Sequence, residues 1–78
     1  MIIKFIVTNE PKIYFGTIEH LYDLHNKIAE KYHISLKKVR GGGLANLETK
    51  QIFGSSISFG KYNPNTVRAL LPNWDIDE

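Results

Sequence analysis

The chain has 78 residues, no cysteine, a hydrophobic fraction of 42%, a charged fraction of 23% and a formal net charge of +2. That size allows one domain (residues 1–78) with a single core, and the ordinary balance of apolar and charged residues excludes disorder, coiled coil and membrane-spanning classes. The missing cysteines exclude disulfide staples, thiolate metal sites and thiol catalysis, and the ten Lys and Arg, spread along the chain, do not by themselves call for nucleic acid.

The opening Met1-Ile2-Ile3-Lys4-Phe5-Ile6-Val7 is too short, and too polar at Lys4, for a signal or membrane segment. The expected address is the cytoplasm, with no membrane partner. Ile2 to Thr8 is β-branched and apolar nearly throughout, as in a central strand covered on both faces. Asn9-Glu10-Pro11 reads as a turn, and Lys12 to Phe15 as a short strand ending at Gly16. Thr17 is a standard N-cap for a helix over about residues 18 to 32, where Leu21, Leu24, Ile28 and Tyr32 form one apolar stripe and Lys27, Glu30 and Lys31 the outer face.

His33 falls at the C-terminal end of that helix, and Ile34 to Val39 reads as the next strand. Leu44 to Glu48 and Gln51 to Phe59 read as further strand segments, with Thr49-Lys50 in a hairpin between them. Asn63-Pro64 starts a second helix, with Asn as cap and Pro at the first helical position, and Val67, Leu70 and Leu71 face the core until Pro72. Trp74 and Ile76 alternate with Asp75 and Asp77, which fits a short edge strand. The predicted fold is α+β, a single mixed sheet with two helices in the order β-β-α-β-β-β-α-β.

Two stretches stand out chemically. Gly41-Gly42-Gly43, after Arg40, lets bare main chain approach something closely. Gly54-Ser55-Ser56-Ile57-Ser58-Phe59-Gly60 supplies hydroxyls and unobstructed amides of the kind that hold an oxyanion. Together they suggest an anion cradle. In the first turn of a helix His20 would be kept neutral by the macrodipole, the form that accepts a proton or attacks phosphorus, and Lys4 on a neighbouring strand would neutralise phosphoryl charge.

In order and approximate spacing, His20 early on a helix, Gly41-Gly42-Gly43, Ser56-Ile57-Ser58-Phe59-Gly60 and Pro72-Asn73-Trp74 after a second helix make the chain resemble the Janus/Ocnus family, whose members are phosphohistidine phosphatase-like. The resemblance covers about residues 17 to 76 of a chain shorter than the usual member. It implies an α+β sheet with two helices and a metal-independent, cofactor-free hydrolase acting on phosphorylated protein side chains or a small phosphoramidate. It implies His20 as base or nucleophile, although matching the helix by its apolar stripe puts Leu21 in that slot. The phosphate contacts implied are Lys4, Ser56 and the Ser58 amide beside Gly42 and Gly43. The family arginine directly after the glycines is replaced by Leu44, and Arg40 on their other side is the cation left to take its place.

Ordinary readings stand beside these. His25 and His33 are expected at the surface or as caps, Lys4 snorkels at a sheet edge, and the glycines serve a bulge or crossing. Ser55, Ser56 and Ser58 can be polar positions on an exposed sheet face, while Trp74, Phe59, Phe53 and Tyr32 belong to the core or its margin. Neither a metal-ligand spacing nor a serine-hydrolase elbow is present. The alternative functions are a catalytically silent relative that binds a protein partner, and a nucleic-acid binder through Lys37, Lys38, Arg40 and Lys50, which the modest charge disfavours.

Overall fold

The computed structural model describes residues 2–16 and 25–78. Strand β1 (Ile2–Thr8) pairs with β2 (Ile13–Phe15) on one side and β3 (Val39–Asn46) on the other. Beyond β3 come β4 (Gln51–Phe53) and β5 (Asp75–Ile76), giving one five-stranded sheet in the order β2-β1-β3-β4-β5. All pairs are antiparallel except β4 with β5, so the sheet is mixed. Helices α1 (His25–Lys31) and α2 (Pro64–Leu70) complete the α+β fold, with strands and helices in the expected order. The part of the first helix expected before residue 25, with its Thr17 cap, lies outside the described residues. None of the described helices is long and apolar enough to cross a membrane.

The unbroken apolar run of β1 has a direct cause. Ile3, Phe5 and Val7 join Ala45, Ile52, Tyr62 and Val67 of α2 in one cluster, while Ile6 joins Ile28, Ala29 and Val39 in another with α1. Successive strand residues point to opposite faces, so a strand between two helix layers needs apolar residues at nearly every position. The Phe5 ring lies 5.5 Å from Tyr62 and 6.3 Å from Phe15, and Trp74 stacks on Phe15 at 6.0 Å, so Trp74 belongs to the core margin as expected.

Helix α1 ends as sequence chemistry asks, with one correction downstream. His33 takes φ 56°, its N–H donates to Glu30 O at 3.2 Å, and the Ile34 N–H reaches back to Ala29 O at 2.8 Å. This is a Schellman closure with His33 in the left-handed position and Ile34 packed against the α1 cluster, so the capping role expected of His33 holds. The strand expected over Ile34 to Val39 forms only at its last residue. Ser35 turns the chain instead, its Oγ accepting from the Lys37 N–H at 3.4 Å, and Leu36–Lys38 is a short 3-10 helix. Strand β3 then runs through the glycines without a break, joining the segments before and after them.

The strand expected over Gln51 to Phe59 stops at Phe53, because Gly54 turns with φ 74° and Ser56 pairs back to Gly60 around a three-residue loop. The chain returns with Lys61 beside Gly42, and Tyr62 buries its ring while its hydroxyl donates to Asp77 O at 2.5 Å, tying β5 to the core. Asn63 caps α2, its Oδ1 accepting from the Asn65 and Thr66 N–H groups at 2.9 and 3.4 Å.

Candidate functional site

On the α1 face, beside the second cluster, a cavity of about 240 Å³ is lined by Lys4, His25, Leu44, Ser55, Ile57 and Ser58. Lys4 enters from β1, where it faces Leu44 of β3 across the ladder. His25 enters from α1. Ser55, Ile57 and Ser58 come from the loop that Gly54 opens, and Ile57 at its tip is fully exposed.

His25 corrects the expectation of a surface residue, being only 7% exposed. Its spacing explains why: it lies three residues before Ile28 and four before Ala29, on the side of α1 that faces the sheet. The space for its ring exists because Gly42 has no side chain. A Cβ there would stand 2.8 Å from His25 Cδ2 and 2.6 Å from Phe5 O. The spacing to Ile28 and Ala29 is the one sequence signal for His25, and it does not disclose the glycine opposite.

His25 Nε2 lies 2.9 Å from Gly43 O. A carbonyl only accepts, so Nε2 carries the proton and the neutral ring keeps its lone pair on Nδ1. Burial holds the imidazole pKa below 6.5, and the Lys4 charge pushes it the same way, against the Gly43 bond that favours the cation. The folded protein therefore binds this proton less readily than the unfolded chain. Stability is complete above pH 6.5 and declines as the pH falls through the lowered folded value. Thermal melts from pH 8 to pH 5 should show this decline in the wild type and a flatter profile in His25→Gln.

The other expected site residues fall in several places. His20 lies outside the described residues. Lys4 and Ser58 line the cavity together. Ser56 is buried, and its Oγ accepts from the Phe59 N–H at 3.1 Å, so the hydroxyl closes the loop while Ser55, not singled out as a contact by the resemblance, lines the cavity. The Gly42 N–H donates to Gly60 O at 3.2 Å. All three glycines are buried, and a Cβ at Gly41 or Gly43 would meet Lys61 O at 2.7 Å or Phe53 O at 2.6 Å, so the triplet is a close crossing of chains. Arg40 is carried to a different cavity near the end of β1, with Thr8, Asn9 and Asn63.

Lys37 and Lys38 are exposed on the 3-10 turn before β3, Lys38 lying 3.8 Å from Glu10, whereas Lys50 lies in the hairpin past the far end of that strand. The four basic residues considered for nucleic acid are therefore split between the two ends of β3. Among the described residues no group of three or more His, Asp or Glu side chains is placed to hold a metal ion. No protein-family model, curated protein or solved structure matches the chain.

Proposed function

We propose that the chain is a short member of the Janus/Ocnus family and acts as a phosphohistidine phosphatase-like hydrolase on phosphorylated protein side chains. The observation that carries this reading is the meeting of Lys4, Ser55 and Ser58 with a neutral, buried imidazole around one small cavity. In such a site a phosphoryl group accepts hydrogen bonds from the serine hydroxyls, and the Lys4 ammonium neutralises charge on its oxygens. Either water attacks phosphorus as the N–P bond breaks, or His20 takes the phosphoryl group and water then cleaves the new N–P bond; in both cases the substrate imidazole leaves with a proton and orthophosphate is the final product. His20 serves as base or nucleophile. His25 is a positioning residue: its bond to Gly43 O fixes the ring against the sheet, and its burial keeps a second positive charge away from Lys4.

A silent reader of the same phosphorylated side chain is the second reading, favoured by the apolar Leu44 and Ile57 in the cavity wall, where the resemblance calls for an arginine at position 44. Incubation with a phosphohistidine-bearing protein separates the two. Release of orthophosphate that His20→Ala abolishes, with an unchanged circular dichroism spectrum, is the expected result. Saturable binding without release would establish the reader, and neither binding nor release would remove both.

A further inference from the structure

A second cavity, of about 480 Å³, lies near the end of β1 and is lined by Val7, Thr8, Asn9, Pro11, Arg40, Asn63 and Thr66. Its cause is a β-bulge. Val7 pairs with Gly41 and Thr8 with Val39, so Arg40 is the extra residue, and a bulge of this kind redirects a side chain out of the ladder. The Arg40 guanidinium is then held by the backbone: Nη1 donates to Lys37 O at 2.6 Å and lies 3.4 Å from Val39 O. Among the described residues no carboxylate pairs with it. The nearby Glu10 charge is shared by Lys12 and Lys38, each at 3.8 Å. Asn63 Oδ1 is occupied by the first turn of α2, which leaves its amide NH₂ to donate. Thr8 is 3% exposed, and its Oγ1 is the one buried side-chain oxygen or nitrogen among the described residues without a hydrogen-bond partner.

We infer that this cavity binds a small metabolite bearing an oxyanion, carboxylate or phosphate, with Arg40 taking the charge and Asn9, Asn63 and Thr66 the polar body over Val7 and Pro11. A fixed guanidinium whose other N–H groups are unspent among the described residues suits the two oxygens of such a group, and the volume exceeds that of a bare inorganic anion. The site is separate from the one around Lys4.

The test is an amide-resolved NMR titration of the whole chain with inorganic phosphate, adenosine monophosphate and citrate in separate arms. Expected are saturable shifts at Thr8, Asn9, Arg40 and Thr66 with adenosine monophosphate or citrate. Arg40→Gln should weaken that binding about tenfold, and Arg40→Lys, which keeps the charge but not the fork, should also weaken it if Arg40→Gln disturbs the fold. Lys4→Met should leave it unchanged. Shifts confined to Lys4, Leu44, Ser55 and Ser58 would overturn the inference while supporting the phosphoryl site. Equal affinity in the Arg40 variants, or no saturable shift in any arm, would overturn it as well.

Discussion

Gly42→Ala should lower the melting temperature by roughly 10–20 °C, corresponding to about 3 kcal/mol, and should displace His25 from its seat. The added methyl would stand 2.6 Å from Phe5 O, 2.8 Å from His25 Cδ2 and 3.3 Å from Ser56 Cβ. The imidazole can rotate away, but the Phe5 carbonyl cannot, because it belongs to the strand packed on both faces. Alanine recovers about 0.5–1 kcal/mol of backbone entropy relative to glycine, too little to offset a forced separation of β1 from β3. A domain of this length is stable by only about 4–12 kcal/mol, so the loss is a large share of the total. Gly60→Ala is the control: nothing lies within 4 Å of its Cβ, and the cost is the left-handed φ of 79°, worth about 1 kcal/mol. Equal melting temperatures for Gly42→Ala and wild type, measured by circular dichroism, would show that the crossing is not tight.

The two glycine variants also mark what local sequence could and could not disclose. The β1 run, the Asn63-Pro64 start and the alternation around Trp74 are local signals, and each element formed where its residues placed it. The 34–39 segment shows the limit: β-branched ends suggested a strand, but a serine hydroxyl and a left-handed helix stop decided the backbone first. For the site, the resemblance implies Lys4 and Ser58 as phosphate contacts, and the two line one cavity. His25 was not, since its burial depends on a glycine 17 positions away that no local pattern ties to it. Arg40 was legible as a cation near the glycines but not in its direction, because a one-residue bulge decides which cavity it serves. Long-range pairing, set by register, is what single positions do not encode.

If the proposed hydrolase reading holds, Lys4→Met should reduce phosphohistidine hydrolysis about 100-fold while leaving the fold at least as stable, the second large effect expected of this chain. Methionine keeps the length and apolar stem with which lysine crosses the α1 face, so packing near Ile6 and Leu44 persists. What disappears is the ammonium beside the cavity. In the phosphoryl reading its attraction for the developing negative charge is stronger in the transition state than in the ground state, so kcat should fall more than KM rises. The Lys4 charge also helps hold the His25 pKa down. With it removed the folded imidazole protonates more readily, so the stability lost below pH 6.5 should be smaller in the variant, although burial still opposes the cation. A structural role for Lys4 alone predicts the reverse pattern: a lower melting temperature and no separate change in kcat. Measuring orthophosphate release and thermal melts on the same preparation across pH 5 to 8 distinguishes the two, and hydrolysis equal to wild type would remove Lys4 from the site.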